Sequence, residues 1–191
     1  MNPDEFKIDP FGILVGHTWM EVGLILDFIN TARITRFVEI GVHKGGLCAI
    51  LAHTTEHLSF FHYLGIEINP DIIHESVKKL FHPKLEERDI RQLVIADALQ
   101  PSTIKIVSRW VHRSAGPALV YCDGGDKPKE FERYAPVIRA GDFIAAHDWD
   151  YGGYDRAEIK PSDVEEIAIE QNLIGVGFVA PYRIALWRKV Q

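Results

Sequence analysis

The feature that most constrains the fold of this chain is a pair of closely spaced apolar segments near its carboxyl end. Residues 175–179 and 183–188 each have the composition of a β-strand, and only Ala180, Pro181 and Tyr182 separate them. Three residues cannot form the crossover that parallel neighbours require, so the two strands must be antiparallel. Upstream, short apolar segments alternate with segments of helical periodicity, which is typical of parallel βαβ units. We therefore expect a parallel sheet closed by an antiparallel hairpin.

The alternation can be followed through the chain by its apolar periodicity and its helix-capping residues. Asn69 and Pro70 supply an N-cap and a first-turn proline, and Ser162 with Glu165 forms a capping-box pattern. Pro136 must kink or shorten its helix. The predicted strands cover residues 36–40, 60–68, 93–96, 118–122, 143–146, 175–179 and 183–188. The predicted helices cover residues 17–32, 47–57, 70–81, 103–113, 128–139 and about 162–173. These elements predict an α/β fold, a Rossmann-like doubly wound sheet of seven strands with five parallel βα units and an antiparallel C-terminal hairpin.

Size, charge and composition limit the possible classes of protein. A chain of 191 residues with 47% hydrophobic residues predicts one globular domain over 1–191, in which 1–33 form an N-terminal helical extension. The net charge of -6, without a basic stripe, argues against a nucleic-acid partner. We find neither a signal peptide nor an apolar run long enough for a bilayer, and we expect a cytoplasmic protein without a membrane partner. Cys48 and Cys122 are expected to be core thiols.

Acidic residues follow almost every predicted parallel strand. Ligands of open parallel sheets bind beyond the carboxyl ends of the strands, near the point where the strand order reverses. Carboxylates are rarely buried without a partner, so packing alone does not explain this pattern. The residues at the strand ends are Glu39 and Gly41, Glu67 and Asn69, Asp97, Asp123, and His147 with Asp148. We predict that they form the rim of a binding site.

The turn after the first strand distinguishes between two kinds of cofactor. A dinucleotide fingerprint needs glycine at its first, third and sixth positions, where this chain has Gly41, His43 and Gly46. The missing middle glycine disfavours a pyrophosphate. S-adenosylmethionine (SAM) carries no phosphate, so its site tolerates His43 while still needing a tight turn at Gly41 and close approach near Gly45 and Gly46.

Two further acids suit the rest of a SAM molecule. Glu67 ends the second strand, where a carboxylate can accept hydrogen bonds from both hydroxyls of a ribose. This feature serves NAD and SAM equally. Asp97, which is followed by Ala98, lies where a carboxylate could accept a hydrogen bond from an adenine amino group. A helix cap or a solvated loop end is the structural alternative for each acid taken singly.

At these residues the sequence resembles class I SAM-dependent methyltransferases. The resemblance is carried by Val38-Glu39-Ile40-Gly41 with Gly45-Gly46, by Glu67, and by Asp123-Gly124-Gly125 through Arg139-Ala140-Gly141-Asp142 to His147-Asp148. Residues 119–149 are similar to the small-molecule O-methyltransferase branch that includes the cephalosporin hydroxylase-like and macrolide sugar enzymes. The resemblance implies SAM contacts at Glu39, Gly41, Glu67 and Asp97. It also implies a divalent metal bound by Asp123, His147 and Asp148.

The implied activity is methylation of a hydroxyl on a small-molecule acceptor such as a sugar or natural product. A hard ion such as Mg²⁺ prefers carboxylates, whereas a histidine ligand at His147 would shift the preference toward Mn²⁺, Fe²⁺ or Zn²⁺. His147 could instead point into the core, because adjacent strand residues face opposite ways. Asp123 with a metal, Lys127 and His147 are the candidates for activating the hydroxyl. Tyr151 and Tyr154 are expected to line the acceptor pocket.

Two other functions remain open from the sequence. An NAD-dependent oxidoreductase would share the fold and Glu67, although His43 and the terminal hairpin count against it. A non-catalytic SAM-binding scaffold is the other alternative, because Asp126 stands where the resembling enzymes often have a histidine. The amphipathic helix at 17–32 could pack on its own sheet or against a second subunit, so a homo-oligomer is also open.

Overall fold

The computed structural model of the chain describes residues 13, 15–54, 61–81, 91–150, 156–177 and 183–191. Seven strands form one sheet in the order β3-β2-β1-β4-β5-β7-β6. The strands are β1 (Arg36–Ile40), β2 (His62–Glu67), β3 (Arg91–Ile95), β4 (Ala118–Cys122), β5 (Phe143–Ala146), β6 (Leu173–Gly177) and β7 (Ala185–Lys189). Neighbouring strands from β3 to β5 pair in parallel, and β7 pairs antiparallel with both β5 and β6. The predicted doubly wound sheet with its antiparallel C-terminal hairpin is confirmed.

Helices cover both faces of the sheet, as apolar residues on both sides of its strands require. They are α1 (Trp19–Thr31), α2 (Gly46–Thr54), α3 (Glu75–Lys78), α4 (Pro101–Val111), α5 (Lys127–Tyr134) and α6 (Pro161–Glu170). One core cluster contains residues of α1, α2 and α3, and the other contains residues of α4, α5 and α6. Cys48 and Cys122 are free and buried, one in each cluster, as predicted. No helix among the described residues is long and apolar enough to cross a membrane.

The first helix packs on the sheet of its own chain. Val22, Ile25 and Ile29 of α1 are buried in the same core cluster as Phe37 and Tyr121 of the sheet. Thr18 caps the helix, with its hydroxyl 3.2 Å from the Glu21 amide. The packing of α1 on the sheet places the residues just before and at the start of α1 next to the carboxyl ends of the strands. The open choice between the sheet and a second subunit is thus resolved for the apolar face of α1.

One predicted helix start and one predicted helix cap are wrong. The segment from Asn69 forms turns rather than a helix, because the Asn69 side chain accepts from the Asp71 amide and helix α3 begins only after His74. The last helix begins at Pro161, within one residue of the predicted start, but its N-cap is Lys160 rather than Ser162. There the carboxylate of Asp163 accepts from the Lys160 amide at 2.8 Å. In both places a local side-chain bond to the backbone competes with the predicted cap.

Several predicted bounds also shift. Helix α5 ends at Tyr134 instead of 139, since Pro136 stops it. Strand β6 begins at Leu173, before the predicted 175, and its predicted continuation beyond Gly177 lies outside the described residues. Strand β7 begins at Ala185 rather than 183.

Candidate functional site

A cleft of about 490 Å³ opens at the carboxyl ends of strands β1 to β4. It lies where β1 and β4 are neighbours and the strand order reverses, which is the position that the topology rule predicts. Of the residues predicted to bind the cofactor, those that line the cleft are Gly41, His43, Glu67, Asp97, Ala98 and Asp123. Those not among its lining residues are Glu39, Gly45, Gly46 and Asn69.

Gly41 makes the turn after β1 possible. Its φ is +85°, and a Cβ atom at this position would lie 2.5 Å from Cα of Gly124 and 2.6 Å from the carbonyl oxygen of Asp123. The turns after β1 and β4 therefore approach each other closely at a point that only glycine allows. Gly45 also has a φ of +85°, and its missing side chain makes room for Val77. The predicted tight turn at Gly41 is present, whereas the close approach of Gly45 is to Val77, and an approach of Gly45 and Gly46 to the cofactor stays a prediction.

Glu67 holds the two loops on its side of the cleft. One carboxylate oxygen accepts from the His43 amide at 2.7 Å, and the other accepts from the Asn69 amide at 3.0 Å. The side chain is buried but still lines the cleft. Each carboxylate oxygen can accept more than one hydrogen bond, so both remain able to receive ligand hydroxyls. The side chain of Asn69 points elsewhere, to the Asp71 amide.

Glu39 lies in β1, two residues before Gly41, and is 2% exposed. The Tyr63 hydroxyl donates a hydrogen bond to it. Burial raises the pKa of this carboxyl well above its usual value, and the nearby acids Asp123 and Glu67 add to the increase although the Tyr63 hydrogen bond opposes it. Glu39 is therefore a buried carboxyl near the cleft and not one of its lining residues.

Asp97 shapes the far wall of the cleft. Its two oxygens accept from the Leu99 amide at 2.9 Å and from the Gln100 side chain at 3.2 Å. The neighbouring Ala98 carbonyl accepts from the Tyr134 hydroxyl at 2.6 Å, which ties this loop to α5. The loop is therefore fixed in position before any ligand binds.

The buried side chain of Glu130, on α5, holds the loop after β4 in place. Its carboxylate oxygens accept from the amides of Gly124 at 3.1 Å and Asp126 at 3.4 Å. Burial raises the pKa of Glu130 from 4.5 to about 7, although the two backbone hydrogen bonds lower it. Glu130 also lines the cleft, although it lies within a helix and no strand-end pattern marks it as a site residue.

Asp123 joins the cleft to a buried cluster of histidines. Nδ1 of His147 lies 2.9 Å from one Asp123 oxygen, and Nε2 of His17 lies 3.2 Å from the other. Nε2 of His17 also lies 2.9 Å from the Tyr121 hydroxyl. The two imidazole rings stack with their centroids 4.4 Å apart. His17 was missing from the predicted site, because no local pattern connects it to the end of β4.

Asp148 contacts two cationic side chains, so it does not face an open coordination position for a metal ion. Nζ of Lys127 lies 3.3 Å from Asp148, 2.5 Å from Glu158 and 3.9 Å from Asp123. Arg183 lies 3.4 Å from the other Asp148 oxygen. Strand β5 ends at Ala146, and Asp148 has a φ of +53°, so the chain turns directly after the strand.

The charges of this cluster shift the pKa values of its three predicted catalytic residues, Asp123, Lys127 and His147. Burial alone would lower the pKa of His147, but Asp123, Glu21 and Asp148 raise it to about 10. The two histidines hold the pKa of Asp123 well below its usual range despite burial. Burial also opposes the positive charge of Lys127, yet the surrounding acids raise its pKa. The surroundings thus favour the protonated forms of Lys127 and His147, and the base role of each stays a prediction.

The donor set does not fit the oxygen shell that Mg²⁺ requires. Asp148 is already paired with Lys127 and Arg183. The atoms that converge are one carboxylate, from Asp123, and two imidazole nitrogens, from His17 and His147, all within 4.8 Å of one another. Of the predicted metal ligands, the structure brings Asp123 and His147 together and assigns Asp148 to the ion pairs.

A second acid behind the histidines was also missed. Glu21 of α1 lies 3.6 Å from Nε2 of His147 and forms a forked pair with Arg183 at 3.0 and 3.2 Å. Burial would raise the pKa of Glu21, but His147 and Arg183 lower it to about 2. Thr18 and Glu21 form a capping box, a sequence pattern that indicates where α1 begins. The predicted acceptor-pocket residues Tyr151 and Tyr154 lie outside the described residues.

No protein-family model matches this chain, and no curated protein matches it. Solved structures do match this chain. The SAH-bound methyltransferase PaMTH1 of Podospora anserina superposes with a TM-score of 0.59 at 11% identity, over 91% of this chain and 80% of the other. CmcI with Mg and SAM superposes with a TM-score of 0.65 at 16% identity, over 99% and 77%. A Staphylococcus aureus protein with a proposed caffeoyl-CoA O-methyltransferase assignment gives 0.62 at 15%, over 90% and 84%. The chain has the fold of these methyltransferases.

Proposed function

We propose that this protein is a SAM-dependent methyltransferase that transfers a methyl group to a hydroxyl of a small molecule. The observation that carries the proposal is the cleft at the β1–β4 reversal, which combines the turn at Gly41 with the carboxylates of Glu67 and Asp97. Its volume of about 490 Å³ is in the range of small-molecule sites. Structures of the same fold contain SAM or SAH, which supports this choice of cofactor.

In this proposal each wall of the cleft recognises a different part of SAM. Glu67 accepts the ribose hydroxyls, and Asp97 with Ala98 faces the adenine. Gly41 lets the backbone approach the amino acid part of the cofactor. The methyl group then points toward Asp123, the residue shared by the cleft and the histidine cluster.

Methyl transfer from a sulfonium is an in-line displacement, so the protein has chiefly to align the acceptor oxygen with the methyl carbon. Asp123 can accept a hydrogen bond from the acceptor hydroxyl and orient it. As the O–CH₃ bond forms, the S–CH₃ bond breaks, SAH leaves, and the hydroxyl proton passes through Asp123 to solvent. The ion pairs of Lys127 with Asp148 and Glu158 fix the loops around this position. The acceptor is a hydroxylated metabolite of a size that fits beside the cofactor.

Calorimetry with SAM, SAH and NAD tests the cofactor. We expect SAM and SAH to bind, and binding of NAD alone would overturn the proposal. Glu67→Gln should weaken SAM binding by about 10- to 100-fold, because a hydrogen bond to a charged acceptor contributes about 1.5–3 kcal/mol. Glu132→Gln, at an exposed acid of α5, is the matched control and should bind SAM normally.

SAH formation with a panel of hydroxylated metabolites then tests the reaction. Turnover of at least one acceptor is the expected result. If SAM binds normally but no acceptor yields SAH, the chain is a non-catalytic SAM-binding scaffold and the catalytic part of the proposal fails.

A further inference from the structure

Two imidazoles and one carboxylate converge in the buried cluster of His17, Asp123 and His147. Both histidines are 3% exposed. One ring nitrogen of each approaches the same carboxylate, at 2.9 Å for His147 and 3.2 Å for His17. Ligand atoms about 2.0–2.1 Å from a tetrahedral ion lie roughly 3.3 Å apart, so this spacing is close to that of a coordination shell.

Carboxylates outnumber permanently charged cations around the two imidazoles. Three carboxylates, those of Glu21, Asp123 and Asp148, lie within ion-pair distance of a ring nitrogen. The permanently charged cations paired with these carboxylates are Lys127 and Arg183. The excess of carboxylates favours the binding of a further cation at this position.

The outer contacts resemble those of a metal centre. The second nitrogen of His147, Nε2, is buried without a hydrogen-bond partner among the described residues, and it faces Glu21 at 3.6 Å. Histidine ligands usually direct their second ring nitrogen to a carboxylate of this kind, which fixes the ring and its tautomer. Glu21 is itself fixed by Arg183 and by the Thr18 amide at 2.6 Å.

We propose that His17, Asp123 and His147 bind a first-row transition-metal ion, such as Zn²⁺, Co²⁺, Fe²⁺ or Mn²⁺, in preference to Mg²⁺. Imidazole nitrogens favour these ions, whereas Mg²⁺ selects oxygen ligands. His17 is the third ligand, delivered by the segment before α1, and Glu21 positions His147. Bound there, at the edge of the cleft, the ion would act as a Lewis acid on an acceptor hydroxyl.

Metal binding is measured on the full chain after treatment with a chelator, with Co²⁺ as the spectroscopic probe. We expect one Co²⁺ per chain with a d–d absorption spectrum typical of nitrogen and oxygen ligands. Zn²⁺ should displace it, and millimolar Mg²⁺ should not. Binding of Mg²⁺ as tight as that of Co²⁺, or no binding of any of these ions, would overturn the proposal.

Variants test whether His17 itself binds the metal or whether the loss of any histidine weakens Co²⁺ binding. His17→Ala should weaken Co²⁺ binding at least 100-fold and change its spectrum, and Glu21→Gln should weaken it about 10- to 100-fold. His112→Ala is the matched control, an exposed histidine at the other end of the sheet, and should bind normally. Unchanged Co²⁺ affinity in His17→Ala would refute its role as a ligand. If His17→Ala does not fold, His17→Gln replaces it, with the same expected loss.

The same samples distinguish this proposal from the proposed function. SAM calorimetry in the presence of a chelator reports the cofactor site alone. SAM binding without any metal binding would refute the metal centre and leave the methyltransferase assignment intact. Metal binding without SAM binding would do the reverse.

Discussion

Gly41 offers a direct test of how the two central turns are held together. Replacing it with alanine puts a Cβ atom 2.5 Å from Cα of Gly124 and 2.6 Å from the carbonyl oxygen of Asp123. These atoms belong to the backbone and cannot rotate away. A left-handed conformation costs an alanine about 1–2 kcal/mol, and overpacking adds about 1–3 kcal/mol. Gly41→Ala should therefore lower the free energy of unfolding by about 2–5 kcal/mol.

Urea unfolding followed by circular dichroism measures this loss. Gly23→Ala is the matched control, because Gly23 is exposed on α1 and an added Cβ meets nothing within 4 Å. That control should gain about 0.5–1 kcal/mol, the usual difference between alanine and glycine in a helix. Where Gly41→Ala still folds, SAM binding should also weaken, since the turns after β1 and β4 must move apart. A Gly41→Ala protein as stable as the wild type would refute this account of the turn.

Three buried polar contacts give further predictions. Burial raises the pKa of Glu130 from 4.5 to about 7 in the folded protein, so the free energy of unfolding should fall by about 3 kcal/mol as the pH rises from 4.5 to 7. Urea unfolding at pH 4.5, 6 and 8 should show a smaller fall for Glu130→Gln, and an identical pH profile would contradict the raised pKa. Asp142→Ala should cost about 3 kcal/mol in urea unfolding, because the buried carboxylate pairs with Arg139 and accepts from the backbone amides of Ala118, at the start of β4, and of Arg139. A loss below about 0.5 kcal/mol, the usual limit for surface substitutions, would count against this. Tyr63→Phe should cost about 1–3 kcal/mol, because it leaves buried Glu39 without its hydroxyl donor, and unchanged thermal stability would show that the contact contributes little.

The sheet was predictable because its signals are local. Apolar segments of strand length, helical periodicity and a three-residue connection each depend on neighbouring residues, and together they determine the order and direction of the strands. Helix starts were less predictable where another local hydrogen bond competes with the predicted cap. Glu67 binds the Asn69 amide at 3.0 Å, so the chain after β2 turns around this carboxylate instead of entering a helix at Pro70. That contact depends on the path of the loop, which the capping pattern does not contain.

The acids at the strand ends were predictable for the same reason, since the fold brings those ends together. Gly41, Glu67, Asp97 and Asp123 all line the cleft. His17 was not predictable, because its place beside Asp123 depends on how α1 packs across the sheet. The same holds for Glu39, whose position at a strand end resembles that of Glu67 although its side chain is buried and does not line the cleft.

Helix α1 links the stability of the core to the chemistry of the site. Its apolar face packs into the sheet, while its first turn carries Glu21 to His147 and its preceding segment carries His17 to Asp123. Arg183, which lies just before β7 and far from α1 in the sequence, forms two hydrogen bonds with Glu21. A buried carboxylate between a histidine and an arginine is stable only while both partners stay in place. Docking of α1 on the sheet is therefore a condition for assembling the histidine cluster, which explains why residues so far apart in the sequence form one site.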